Sequence, residues 1–313
     1  MPFSVVFAVT YNCQCSCVHC SVNDYSKSGE ELSNEEIKDA IDEIAQWGVV
    51  KVTFFGGEPL TRPDIVGLVS YAAHKGLRVS IDTNGILLDK KMAYELKAAK
   101  VGNINVSVDS VQDGLHDTLR KYSGCFEKAV NGIRLCVEVG IPCLISTYAS
   151  RRAIEERDLE KIIELAKKEK AQGVKILFPI LSGEWRESDE EKLTPQEEDR
   201  VIQLLDPSFV YIEDALEMVS KKGKGCSAVD KNLIYISPYG DVQPCPAVPI
   251  SFGNIRKEGL LRVVETMFER SFYKQNRSCQ RCIMNEEAFR KQYFLAKGKE
   301  LPIHVDDFEA RCR

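Results

Sequence analysis

The first two thirds of the chain alternate between two apolar patterns. Residues 5–10, Val-Val-Phe-Ala-Val-Thr, form an unbroken apolar and β-branched run. A strand buried on both faces of a parallel sheet reads this way. Residues 33–47 instead place Ile37, Ile41, Ile44 and Ala45 on one stripe, opened by Ser33-Asn34 and closed by Gly48. That is an amphipathic helix with its start and stop signals. The unit then repeats. Strands are expected at 49–55, 77–82, 103–109, 143–148 and 174–178, and helices at 63–74, 89–99, 125–139, 157–168 and 195–205. Six β-α units in a row predict an α/β fold with a parallel sheet and right-handed crossovers. Eight units would close a TIM barrel. Six give an open, partial (β/α)6 TIM-like barrel, with its active site at the C-terminal ends of the strands.

The rhythm stops near residue 206. Beyond it, residues 233–237 and 242–244 read as a β-hairpin around Pro238-Tyr239-Gly240-Asp241. The expected division is therefore a barrel over 1–206 and a small α+β domain over 207–313. A chain of 313 residues with 44% hydrophobic content has the material for a core of this size. Its net charge of −5, without a basic stripe, argues against a nucleic-acid partner. No apolar run approaches the length of a membrane span. The start, Met1-Pro2-Phe3-Ser4, lacks the charged region of a signal peptide. Twelve cysteines in such a chain read as metal ligands rather than disulfides, which makes a reducing, oxygen-poor cytoplasm the expected location.

The cysteines fall into two sets. Cys13-Gln14-Cys15-Ser16-Cys17-Val18-His19-Cys20 begins directly after the first strand. With Cys15 set aside the spacing is Cys-x3-Cys-x2-Cys. Three thiolates can hold three irons of a cubane and leave the fourth iron open, as catalytic metal sites require. A zinc knuckle and a redox Cys-x-x-Cys are the alternatives. Zinc needs a fourth tight ligand, and His19, between two cysteines, is poorly placed to be one. The second set is Cys226, Cys245, Cys279 and Cys282, with Cys312 beside the C-terminus. The hairpin brings Cys226 and Cys245 to one end. Four thiolates suffice for one fully ligated cluster, and structural zinc is the competitor. Cys136 and Cys143 read as core; Cys15 and Cys125 have no assigned role.

Polar motifs sit at the predicted strand ends. Strand two ends in Gly56-Gly57-Glu58-Pro59, strand three in Asp82-Thr83-Asn84-Gly85, and strand four in Ser107-Val108-Asp109. Glycines allow close backbone approach, and period-two geometry puts Ser107 and Asp109 on one side. His116 and Arg120 follow on a loop or short helix. Leu144 and Ile145 are candidates to flank a planar ligand, against an ordinary core duty. The long loop over 179–192 carries Ser182-Gly183-Glu184-Trp185-Arg186 and is expected either to touch substrate or to act as a linker.

The cysteine triplet, Gly-Gly-Glu-Pro, and Cys-x13-Gly-x4-Cys followed by Cys-x2-Cys together resemble the radical S-adenosylmethionine (radical SAM) superfamily with a C-terminal SPASM or Twitch module. The resemblance covers nearly the whole chain and implies two 4Fe–4S clusters and S-adenosylmethionine as cofactors. Cys13, Cys17 and Cys20 would hold the first cluster, whose open iron chelates the methionine end of the cofactor and whose electron releases a 5′-deoxyadenosyl radical. Gly56, Gly57 and Glu58 would meet the methionine amino group. Thr83 and Asn84 would face the cofactor; Ser107 and Asp109 would meet its ribose and carboxylate, with Arg120 as a further carboxylate partner. Cys226, Cys245, Cys279 and Cys282 would hold an auxiliary cluster. The full SPASM set has seven cysteines. Two expected after Cys282 are missing here, so the shorter Twitch form fits better. Cys312 is then spare: a replacement ligand, a hydrogen donor to a substrate radical, or an idle tail residue.

The implied reaction is hydrogen abstraction from an unreactive C–H bond, with a reductase such as flavodoxin or ferredoxin as electron source. Peptide modification by crosslinking, epimerisation or oxidation is placed ahead of small-molecule oxidation or cofactor biosynthesis. No leader-peptide-binding domain is visible before the first strand, which weighs slightly the other way. A non-catalytic iron–sulfur electron carrier is the alternative from another class; it has no use for Gly56-Gly57-Glu58-Pro59.

Overall fold

The computed structural model describes residues 2–187, 189–212, 226–276, 282–293 and 300–310. A nine-stranded sheet carries the fold. Its strands are β1 (Ser4–Thr10), β2 (Lys51–Gly56), β3 (Arg78–Thr83), β4 (Asn103–Ser107), β5 (Cys143–Tyr148), β6 (Gly173–Leu177), β7 (Val210–Ile212), β8 (Leu233–Ile236) and β9 (Val242–Gln243). The spatial order is β7-β6-β5-β4-β3-β2-β1-β8-β9. Every neighbouring pair is parallel except β8 with β9. The sheet is open, because β7 and β9 are its two edges.

Between the strands run α1 (Asn34–Gln46), α2 (Ile65–His74), α3 (Lys90–Ala98), α4 (Asp113–Arg120), α5 (Cys125–Val139), α6 (Arg151–Glu155) and α7 (Asp158–Lys168), and α8 (Pro195–Ile202) follows β6. Local signals account for their limits. Ser33 and Glu36 exchange hydrogen bonds in a capping box at the start of α1, and Gly140 closes α5 at φ +73°. The predicted strands and long helices are present. Strand four stops at Ser107 rather than 109, the His116–Arg120 segment is helical, and a short helix precedes the one expected from 157.

The C-terminal hairpin does not stand apart. β8 pairs in parallel with β1, from Ser4↔Leu233 to Phe7↔Ile236, and so continues the main sheet. Val5, Phe7 and Ala8 are fully buried, which is why β1 reads as an unbroken apolar run. Further fastenings follow: Leu32 N donates to the Pro238 carbonyl at 2.6 Å, and the Arg256 guanidinium bonds Glu36 and the Glu30 carbonyl. Helix Leu260–Glu269 buries Leu260, Val263, Val264 and Met267.

Candidate active site

A cavity of about 130 Å³ opens at the C-terminal ends of the parallel strands. The loop after β1 brings Cys13, Cys17 and Cys20 to it. The ends of β2 and β3 bring Gly56, Gly57, Thr83 and Asn84, and the end of β4 with α4 brings Ser107, Asp109 and Arg120. These are the residues expected from sequence for the first site, apart from Glu58.

Glu58 is fully buried and does not line the cavity. One carboxylate oxygen accepts from Leu60 N at 3.0 Å and Thr83 Oγ1 at 2.8 Å; the other accepts from Asn84 N at 2.8 Å. It ties the end of β2 to the end of β3. Burial, opposed by these hydrogen bonds, pushes its pKa up to about 7. The neighbouring glycines serve a close approach to the cluster loop. Gly57 N donates to the Thr10 carbonyl and Glu58 N to the Asn12 carbonyl, both at 2.8 Å. A Cβ on Gly56 would lie 2.1 Å from the Thr10 oxygen, and one on Gly57 2.4 Å from the Asn12 oxygen.

The thiols have donors around them. The Asn84 amide nitrogen lies 3.8 Å from Cys13 Sγ and 3.6 Å from Cys15 Sγ; Arg120 Nη1 lies 3.7 Å from Cys17 Sγ. The Cys15 thiol holds both Cys13 and Cys17 below the ordinary thiol range against burial, and Arg120 adds to the effect at Cys17. Burial pushes Cys20 up to about 11. Coordination overrides this, since a metal-bound thiol loses its proton outright. Arg120 Nε also donates to Asp109 Oδ2 at 2.7 Å and, against burial, keeps Asp109 below the carboxylate range. Among the described residues, Asp109 Oδ1 and Thr147 Oγ1 are buried without a hydrogen-bond partner in the wall of this cavity. Sulfur ligands at one side and unspent polar atoms at the other fit a cluster with a polar organic cofactor beside it.

Several lining residues were not singled out beforehand. β5 presents Ser146, Thr147 and Tyr148 to the cavity, whereas Leu144 and Ile145 lie too far back along the strand to reach it. The strand-end position of 146–148 was the available signal. His19 packs against Tyr148 at 4.6 Å and Trp185 at 5.2 Å between ring centroids, forming an aromatic wall. The loop carrying Trp185 is pinned to the cluster loop: Glu184 N donates to the Val18 carbonyl, Gly183 N to Asp24, and Ser182 Oγ to the His19 carbonyl. Cys15 and Cys125 are buried in one cluster with Cys17 of the triplet. Cys136 and Cys143 belong to the core.

In the second cysteine set, the register Tyr235↔Gln243 and Ile236↔Val242 puts Cys245, two residues past β9, at the hairpin end that Cys226 leads into. Cys226, Cys245 and Cys282 are all partly exposed. Among the described residues the Tyr273 hydroxyl and Gln243 Nε2 are buried without hydrogen-bond partners, a polar surplus that fits a cluster here. Cys279 and Cys312 lie outside the described residues.

Residues 7–166 match the family model of the radical SAM superfamily, and residues 226–283 match that of an iron–sulfur cluster-binding domain, SPASM. The chain belongs to the radical SAM superfamily. It is 32% identical over 292 residues to an AdoMet-dependent heme synthase of Methanosarcina barkeri, covering 84% of this chain and 82% of the relative. It is 27% identical over 267 residues to the PqqA peptide cyclase of Bradyrhizobium diazoefficiens, covering 79% and 67%. Among solved structures, Streptococcus suis SuiB bound to its precursor peptide SuiA superposes with a TM-score of 0.69 at 16% identity, covering 88% of this chain and 67% of SuiB. The shared fold is the content of that last likeness. This radical SAM chain thus carries iron–sulfur cluster modules at both ends and uses S-adenosylmethionine. Among the described residues no helix is long and apolar enough to cross a membrane.

Proposed function

We propose that this enzyme abstracts hydrogen from an unreactive C–H bond of a peptide substrate, as a step in crosslinking, epimerisation or oxidation. The single observation that carries the chemistry is the convergence of the three thiols with unpartnered polar atoms in one strand-end cavity. When bound, the cluster and S-adenosylmethionine supply reductive cleavage of the sulfonium and a 5′-deoxyadenosyl radical. The chain's own residues bind, orient and shield. Cys13, Cys17 and Cys20 hold the first cluster. The Gly56 and Gly57 backbone, positioned by Glu58, receives the methionine amino group, and Thr83 and Asn84 line the same side. Ser107 and Asp109 meet the ribose. Arg120 has donors left beyond those spent on Asp109 and Cys17, and its fork suits a carboxylate. The aromatic wall of His19, Tyr148 and Trp185 excludes water.

Cys226, Cys245, Cys279 and Cys282 hold the auxiliary cluster in this proposal, and Cys312 is a spare thiol. The division at residue 206 is supported by the separate spans of the two family models. A cytoplasmic location and a flavodoxin or ferredoxin as electron donor suit low-potential clusters. A second reading, a small molecule such as a tetrapyrrole, is favoured by the heme synthase relative at 32% identity.

The test is anaerobic reconstitution with iron and sulfide, followed by iron counting and assay with dithionite and S-adenosylmethionine. About eight irons per chain and 5′-deoxyadenosine formation are expected for two cubanes. The Cys13→Ala, Cys17→Ala, Cys20→Ala triple variant should lose cofactor cleavage and keep about four irons. Intact clusters without cleavage would return the chain to the electron-carrier class. Fe-coproporphyrin III is the discriminating probe: saturable stimulation of 5′-deoxyadenosine formation would move the substrate from peptide to tetrapyrrole.

A further inference from the structure

The loop that carries the first cysteines is held from two sides. On one side lies the end of α4, where the Leu119 carbonyl accepts from Val18 N at 3.0 Å. On the other lies segment 179–186, which runs on from β6. Its Gly183 sits at φ +59°, and a Cβ there would lie 2.8 Å from the Val18 oxygen and 2.9 Å from Cys20 N. Glycine permits both that backbone and that approach. Ser182 Oγ donates to the His19 carbonyl at 3.1 Å, and Glu184 N to the Val18 carbonyl at 2.8 Å. Asp24 accepts from Gly183 N at 2.9 Å and pairs with Arg186 at 3.2 Å. The segment is thus in direct contact with the backbone of Val18, His19 and Cys20.

The start of the same segment is fastened to the C-terminal module. Asn285 uses both ends of its amide for this. Its Oδ1 accepts from Leu181 N at 3.0 Å, and its Nδ2 donates to the Pro179 carbonyl at 2.9 Å. Asn285 stands three residues beyond Cys282, and its backbone N donates to the Cys282 carbonyl at 2.9 Å. Arg290 adds a second tie, from the Met284 carbonyl at 2.8 Å to the Asp189 carboxylate. A path of hydrogen bonds therefore leads from the turn after Cys282, through Asn285 and segment 179–186, to the backbone beside Cys20.

We propose that Asn285 is a positioning residue for the first site: by holding segment 179–186, it keeps the Cys17–Cys20 stretch in the form that binds S-adenosylmethionine. The inference rests on the first cluster lying at Cys13, Cys17 and Cys20; it needs neither the auxiliary cluster nor a particular substrate. Asn285 touches no reacting atom and acts through the segment alone.

The experiment compares the reconstituted full chain with its Asn285→Ala variant. Iron per chain, amide hydrogen exchange, and the kcat and KM for S-adenosylmethionine in dithionite-driven formation of 5′-deoxyadenosine are measured. The variant should keep its iron, and exchange should quicken in peptides covering 16–20 and 179–186 but not in β2 to β4. The KM should rise about threefold to tenfold with kcat nearly kept. Faster exchange confined to 179–186 with an unchanged KM overturns the proposal, as does unchanged exchange in both stretches. Faster exchange across the whole sheet also overturns it, because Asn285 would then serve general stability. Should Asn285→Ala fail to load iron, Asn285→Asp keeps the acceptor for Leu181 N and removes only the donor to Pro179. A raised KM in that variant upholds the proposal, and an unchanged KM overturns it. A wild-type chain that loads iron yet never cleaves S-adenosylmethionine overturns the first-site reading and this inference with it.

Discussion

Glu58 holds three donors from two strand ends with one buried carboxylate. Its pKa of about 7 against an ordinary 4.5 has a definite consequence for stability. The folded protein keeps this proton up to about pH 7, whereas the unfolded chain releases it near 4.5. The contribution is therefore fully present below pH 4.5 and is lost as pH rises through 7, by up to about 3 kcal/mol. Glu58→Gln cannot titrate, and its amide turns one acceptor into a donor facing a backbone N–H, a loss of about 1–3 kcal/mol at low pH. Urea unfolding of the cluster-free proteins at pH 5 and pH 8 checks both claims. The gap between wild type and variant should narrow towards pH 8; a constant gap would mean that Glu58 is charged throughout. The motif itself was legible in the sequence, because Gly-Gly-Glu-Pro stands at a strand end. Its division of labour was not. Only coordinates show that the glycines make room for Thr10 and Asn12, and that the carboxylate turns away from the cavity.

Elements were legible where the apolar period is clear. The strands from β1 to β6 read as buried runs, and α1, α5 and α7 as single stripes with recognisable ends. The pairing of β8 with β1 was not legible, since nothing local to residues 233–236 names a partner some 230 positions earlier. One buried contact marks that junction. The Tyr11 and Tyr235 hydroxyls lie 2.8 Å apart, both side chains are buried, and burial raises both pKa values far above the tyrosine range. Each stays protonated and serves the other. Tyr235→Phe strands the Tyr11 hydroxyl, and Tyr11→Phe does the reverse; each should lose about 1–3 kcal/mol. The double variant leaves no orphan and should lose less than the two singles added together. Strict additivity in urea unfolding of the three variants would show that the hydroxyls do not depend on each other.

At the scale of the molecule, the first cysteine triplet follows β1, and Cys226 and Cys245 flank the β8–β9 hairpin of the same sheet. β1 is central: β2 covers one edge and β8 the other. A chain cut to residues 1–206 would lose β7, β8 and β9 together and bare the edge of β1 beside Phe7 and Tyr11. It would also lose the Arg256 bonds to Glu36 and the Leu261 N bond to Glu43 that brace α1. Full exposure of two such side chains would cost on the order of 3–6 kcal/mol and partial exposure a fraction of that, still a large share of the roughly 5–15 kcal/mol by which an ordinary domain is stable. The 1–206 chain should therefore be marginal or aggregate, although sequence rhythm alone marks it as a self-contained barrel. Trp47 and Trp185 both fall within it, so their fluorescence reports on the barrel in either length of chain. In the full chain, fluorescence and far-ultraviolet circular dichroism should lose structure at one urea concentration, as a single cooperative unit does. A 1–206 chain with the full chain's fluorescence midpoint would make the hairpin an appendage. A lower midpoint would make it an integral part of one sheet, through which loss of the C-terminal cysteine module weakens the grip of the barrel on its own cluster.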